Sequence, residues 1–289
     1  MAAEGFESGA TPRSSRIARA LVAATALVFA LLALMLIGAG PRVAAAWPWP
    51  EASMSFVFLG SITASVATVW ASVALSGELA ALAGVGLNIV VAGVPAVVFL
   101  GWQTATGTRA DLVPALAFAT ATSVFGLWLW RATRALPVHD PRPLPRIVRL
   151  AYFAFVVTLI VAGIALVAQR QVFPWRLQPP SATVFGCIFL GAAAFFANAL
   201  HSGRWAVAAP ALWGFLVYDL LLFVPYGRLL FADSAAADDI YGEGQRINLT
   251  SLAIYLSVLG ASTLLALHAA LVDPATRLWR GRSAPHSHS

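Results

Sequence analysis

The chain alternates between long apolar runs and short polar breaks. Crossing the ~30 Å hydrocarbon core of a bilayer takes about 20 helical residues. Eight runs reach that length: 17–40, 53–75, 79–101, 112–131, 147–168, 181–201, 205–231 and 250–272. The breaks include "PRVAAAWPWPEAS", "SGE", "QTATGTRADL", "RATRALPVHDPRPLPR", "QRQVFPWRLQPP" and "HSGR". They carry proline, glycine and charge, which suits places where the backbone meets water again. The pattern predicts an all-α, polytopic membrane protein with eight transmembrane helices.

Composition sharpens that picture. Of 289 residues, 60% are hydrophobic and only 10% charged, with a mean hydropathy of +0.81. A soluble domain would carry roughly 25% charged residues. So few charges cannot coat a water-facing surface, and lipid becomes the main solvent. Every basic residue is arginine. The absence of lysine excludes a retinal protein, whose Schiff base needs a lysine amine. The net charge of +6 and pI near 10.4 do not indicate nucleic acid, because the arginines border apolar segments and build no single basic face. The one cysteine, Cys187, rules out an internal disulfide.

Arginine placement sets an expected orientation. With the N-terminus in the cytoplasm, twelve arginines fall on inner segments, among them Arg19, Arg131, Arg142, Arg149 and Arg204, and six fall on outer loops. That is the sense of the positive-inside rule. The acidic outer stretch with Asp233, Asp238, Asp239 and Glu243 offsets the outer arginines. The expected location is therefore a cell membrane, with both termini cytoplasmic. Trp47, Trp49, Trp102 and Trp175 at outer ends, with Trp128, Trp130 and Trp205 at inner ends, read as interfacial belts. The first apolar run, over 20 residues long, exceeds the 7–15 residues of a signal-peptide core and reads as a span.

One stretch occurs twice. "FPWRLQPPSATVFG" (173–186) echoes "WPWPEASMSFVFLG" (47–60). Pro48 and Pro174 lie 126 residues apart, and so do Trp49 and Trp175, Gly60 and Gly186, Ser76 and Ser202, Gly77 and Gly203, and Gly101 and Gly227. A single ungapped offset points to tandem duplication of a four-helix unit. Four spans are an even number, so both copies face the same way, as parallel repeats. The expected division is a tail at 1–16, one repeat at 17–140, a second at 141–273 and a tail at 274–289. Scaffold roles account for the echo. Pro48 and Pro174 stop the chain after the loop, Trp49 and Trp175 anchor the turn at headgroup level, and Gly60 and Gly186 permit close helix approach. "LSGE" and "HSGR" read as tight turns in which glycine takes a positive φ. The "WPWP…G" pattern with its degenerate second copy resembles uncharacterised multi-pass membrane proteins of high-GC bacteria. The resemblance covers one loop and one helix start in each half and implies a bacterial membrane protein without implying an activity.

Candidate chemistry is sparse. Asp219 is the only acidic residue deep inside a span, on a helix that also carries Pro210 and Pro225. Intramembrane carboxyls are costly, face the bundle interior and often mark ion or proton paths. Burial without a cation at matching depth favours the neutral acid. Asn88, Tyr218 and the polar positions Tyr255, Ser262 and Thr263 of the last span are its candidate neighbours. The competing reading makes Asp219 a hydrogen-bonded brace between helices. His201 and His268 sit near helix ends at similar depth and could pair on a haem, but histidine there is ordinary, and no cofactor is expected. Neither "HSHS" at the C-terminus nor the acidic outer stretch has metal-site spacing, and no metal is expected. Nucleotide-loop, hydrolase-elbow, zinc-protease and Cys-x-x-Cys motifs are absent, so no enzyme is expected. Two readings lead over a third, a membrane enzyme acting on lipid, which would gather acids, histidines or arginines at one interface where here they are scattered. One is a small-solute or ion/proton-coupled transporter with a midplane site at Asp219, Asn88 and Tyr218. The other is a structural or accessory membrane subunit. The expected partners are the lipid bilayer and, within it, another membrane protein or a second copy of the chain.

Overall fold

The computed structural model describes residues 12–38, 47–107, 109–231 and 248–273, together with Thr276. Eight helices are long and apolar enough to cross a membrane, and among the described residues there is no strand beyond one isolated bridge. The helices are α1 (Pro12–Gly38), α2 (Ser53–Ser76), α3 (Leu82–Ala105), α4 (Val113–Thr133), α5 (Arg146–Val167), α6 (Pro179–Ser202), α7 (Trp205–Leu229) and α8 (Leu249–Leu267). A 3-10 turn, Leu79–Ala81, precedes α3, and a π-turn, His268–Val272, extends α8. Leu21, Phe118, Leu150 and Phe153 project outward. Such faces are stable only in hydrocarbon, and the chain is a multi-pass integral membrane protein. The expected acidic stretch with Asp233, Asp238, Asp239 and Glu243, the first eleven residues and the "HSHS" tail lie outside the described residues.

Local chemistry sets several helix ends. Proline occupies the opening turn of α4 and α6, where its missing N–H costs nothing. The Asn248 side chain accepts from the Ser251 amide at 3.0 Å and caps α8. Gly77 (φ 77°) ends α2 with its N–H on the Val73 carbonyl, and Gly203 (φ 60°) ends α6 with its N–H on the Ala199 carbonyl. These left-handed caps suit glycine, which has no Cβ to clash.

Helix packing does not divide along the sequence halves. α2 packs chiefly on α1 and α7, α3 on α4 and α6, α5 on α6, and α7 on α8. α2 and α3 barely touch, although a tight turn joins them. Two bundles result, one of α1, α2, α7 and α8 and the other of α3, α4, α5 and α6. Each takes one hairpin from each half, so 17–140 and 141–273 are not separate packing units. Exchanging α1–α4 with α5–α8 carries each pairing onto another: α1·α2 onto α5·α6, α3·α4 onto α7·α8, and α2·α7 onto α6·α3.

Close approaches recur at matching places. A Cβ on Gly60 would lie 2.5 Å from Ile37 Cγ1 and 3.3 Å from the Ala33 carbonyl of α1. One on Gly186 would lie 2.7 Å from the Gly163 carbonyl of α5. The α3–α6 crossing places Gly191 against Asn88, and the α2–α7 crossing places Gly214 against Ser65. Asn88 is 126 residues from Gly214 and Ser65 is 126 from Gly191. Each crossing therefore keeps one glycine against one small polar residue, on opposite partners.

Candidate functional site

At the end where Trp47, Arg109, Trp175 and Asn248 gather, α2 and α6 stand apart and aromatic rings fill the gap. Phe58 stacks on Phe185 with centroids 5.3 Å apart, and Phe173, Trp175, Phe189 and Tyr218 pack round it. Trp49, Trp175 and Trp205 are buried against protein, with Trp49 and Trp175 held by the aromatic packing of the loops, whereas Trp102 and Trp128 are exposed. The indoles tie the two halves reciprocally. Trp47 Nε1 donates to Ser181 Oγ at 3.1 Å, and Trp175 Nε1 donates to Ser55 Oγ at 3.0 Å. Ser55 and Ser181 are themselves 126 residues apart. Glu51 completes the seam, accepting from Ser55 Oγ and from the Gln178 amide, each at 3.1 Å. Burial pushes its carboxyl above the ordinary value, against the opposing effect of hydrogen bonds from Ser181, the Gln178 amide and Ser55.

Asp219 is fully buried on α7. Its Oδ2 accepts from Thr263 Oγ1 of α8 at 3.4 Å, and its Oδ1 has no hydrogen-bond partner. Tyr218, its chain neighbour, makes a short hydroxyl–hydroxyl contact with Tyr255 of α8, and its ring stacks on Phe215. The structure thus brings Asp219, Tyr218, Tyr255, Ser262 and Thr263 to the α7–α8 contact, with the Ser262 and Thr263 hydroxyls beside the carboxyl. Asn88 is elsewhere, against Gly191 at the α3–α6 crossing in the other bundle. Pro48, Trp49, Gly60, Pro174, Trp175 and Gly186 belong to the loops and close approaches described above.

The arginine-rich end holds a hollow, lined by both apolar and charged residues, that the pattern of spans did not suggest. Its volume is about 740 Å³. Its described walls come from the ends of α2 and α7, Thr276 and the loop between α4 and α5, and include the side chains of Glu78, Asp140, Arg142, Trp205 and Trp213. Asp219 is not among its lining residues. Glu78 is buried and accepts from the amides of His139 (3.2 Å) and Asp140 (3.0 Å). Asp140 pairs with Arg142, whose Nε lies 2.8 Å from Oδ2. Across the loop, Leu144 N–H donates to the Gly203 carbonyl at 2.9 Å and Arg204 donates to the Pro141 carbonyl at 2.7 Å. Glu78 and Arg204 are 126 residues apart. The Glu78 side chain thus supplies acceptors to the linker, whereas its counterpart Arg204 supplies a side-chain donor.

Two signals in the sequence pointed this way. Glu78 is an acid at an arginine-rich end, and Ser55 and Ser181 share the offset of the echo. Among the described residues, no three His, Cys, Asp or Glu side chains gather as a metal site. No protein family, curated protein or solved structure matches the chain.

Proposed function

We propose that the protein is a small-solute carrier coupled to a proton or a cation, with Asp219 as the coupling group. The observation that carries this reading is the fully buried carboxyl with an unpartnered oxygen, since an unsatisfied polar group in a bilayer protein is costly and marks function. Its helix supports the reading. α7 lines the hollow as far as Trp213, and Asp219 follows six residues later, roughly 9 Å along the axis at 1.5 Å per residue. Pro210 and Pro225 interrupt the hydrogen-bond ladder of α7, as in the discontinuous helices of carriers. The exchange of helix pairings supports a duplicated origin and two equivalent bundles able to rock against each other. The arginine excess supports an orientation with the end that holds the hollow in the cytoplasm of a cell membrane.

A second reading, the accessory subunit, draws on the Thr263–Asp219 hydrogen bond, which ties α7 to α8, and on the hollow stopping short of the carboxyl. Carbodiimide modification separates the two, because it consumes a protonated carboxyl. In a carrier, Asp219 exchanges protons with bulk water. Modification by dicyclohexylcarbodiimide, read by mass spectrometry on the reconstituted protein, should fall as pH rises and vanish in Asp219→Asn. A well-folded protein whose Asp219 stays unmodified at every pH would leave only the brace.

A further inference from the structure

The two tight turns at the arginine-rich end diverge in charge. At the α2–α3 turn, Arg19 of α1 lies over Gly77 and donates to the Ala74 and Leu75 carbonyls at 2.9 and 3.2 Å. Glu78, next in the chain, binds the linker amides. The α6–α7 turn repeats the placement without the pairing. Arg149 of α5 lies over Gly203, its Nη2 3.8 Å from the place a Cβ there would take. Arg204 stands where the first turn has Glu78. Arg146, three residues before Arg149, shares its helix face. Among the described residues, Arg146 and Arg149 have no hydrogen-bond or ion-pair partner. Arg204 spends one of its five donors on the Pro141 carbonyl, and the linker acid Asp140 is bound to Arg142. α6 ends at this turn with about half a negative charge, too little to neutralise three guanidiniums, and α5 begins there with its positive end. We propose that this corner docks an anionic phospholipid through its headgroup phosphate.

The rest of α5 distinguishes a lipid from a free anion. Arg146, Arg149, Leu150 and Phe153 follow the i, i+3, i+4, i+7 spacing of a single helix face. Leu150 is 71% exposed and Phe153 63%. Exposed Val161 and Ile164 carry the apolar stripe further along the span. A small anion would use the guanidiniums alone. Cations at the head of an exposed hydrocarbon stripe match a molecule that carries a phosphate above acyl chains. Guanidinium binds phosphate oxygens in a bidentate fork, and cations beside a span draw anionic headgroups. A zwitterionic lipid would bring its own ammonium against the same guanidiniums, so the occupant carries net negative charge. The assignment uses neither Asp219 nor the carrier reading.

The test is native mass spectrometry of the delipidated full-length protein in detergent. Phosphatidylglycerol and phosphatidylcholine with the same acyl chains would be titrated separately, and inorganic phosphate added as competitor. Saturable retention of phosphatidylglycerol is expected, with phosphatidylcholine about tenfold weaker or more and equimolar phosphate unable to displace the lipid. Arg146→Gln combined with Arg149→Gln should weaken phosphatidylglycerol about tenfold or more. Both side chains are exposed, so the double variant should elute as the wild type does. Should it not fold, Arg149→Gln alone is read in its place, with a loss of about fivefold. Arg131→Gln removes an exposed arginine of α4 at the same end and should leave the affinity within about twofold of wild type, since the site is local and exposed charge is screened beyond about 10 Å. Equal retention of the two lipids, undiminished affinity in the folded variant, an equal loss in Arg131→Gln, or displacement by equimolar phosphate would overturn the assignment.

Discussion

Ser55 and Ser181 receive indole N–H groups from opposite halves, but the two bonds are not equivalent in their surroundings. Trp175 is 1% exposed, whereas Trp47 is only half-buried. Removing the acceptor of a buried donor costs about 1–3 kcal/mol, and water can replace a partly exposed one. Ser55→Ala should therefore lower the melting temperature in detergent more than Ser181→Ala, with a loss of about 1–3 kcal/mol. Glu51 adds a pH dependence. Its folded-state carboxyl sits above its ordinary value through burial, so the folded chain holds more protons than the unfolded chain between those two values. Stability then falls as pH rises through that window and returns on acidification. Glu51→Gln should flatten the melting temperature across it, and an unchanged pH profile would remove Glu51 from the account. The echo made the prolines, tryptophans and serines legible as repeated residues, but not their cross-half pairing, because a hydrogen bond spanning 134 residues leaves no local pattern.

At the scale of the element, the glycines of the echo differ in what they face. A methyl on Gly186 would meet the Gly163 carbonyl at 2.7 Å, which is backbone and cannot swing away. A methyl on Gly60 would first meet Ile37 Cγ1, the side chain of a neighbouring helix. Overpacking costs about 1–3 kcal/mol where the neighbour is fixed. Gly186→Ala should reach that range and Gly60→Ala should fall below it, as read by thermal unfolding in the same detergent. Equal losses would mean that Ile37 is as confined as backbone. Helix positions were legible because membrane spans are defined by length and apolarity, both local properties. α1 begins at Pro12, earlier than its apolar run, since a helix continues past the hydrocarbon boundary wherever its sequence permits. The crossing residues were not legible. Asn88 was grouped with Asp219 by depth, yet it packs on Gly191 in the opposite bundle.

For the whole molecule, the exchange of hairpins makes each half depend on the other. α2 finds its inter-hairpin partner in α7, and α3 finds its own in α6. Residues 1–140 expressed alone should therefore be degraded or aggregated, and co-expression with 141–289 should restore a complex recovered through a tag on either piece. A stable first half alone would contradict the exchange. Orientation belongs to this scale too. With the arginine-rich end inside, a fusion at Ser289 should report cytoplasm and one within 232–247 should report the opposite side.

The sequence by itself determined the number of spans, their approximate limits, the 126-residue offset and the glycines that cap α2 and α6. Each follows from a local rule: bilayer thickness, repetition, or backbone conformation at one residue. Only the tertiary structure decided which helices pair, that the halves interlace, and that Glu78, Asp140 and two tryptophans surround a hollow. In water, a helix announces its buried face by being polar on the other. In hydrocarbon both faces are apolar, so burial leaves little polarity signal, and partner choice rests on shape and on a few hydrogen bonds between distant residues. Asp219 was conspicuous because a carboxyl breaks that uniformity. Its meeting with Thr263 across 44 residues of chain depends on the packing of α7 against α8.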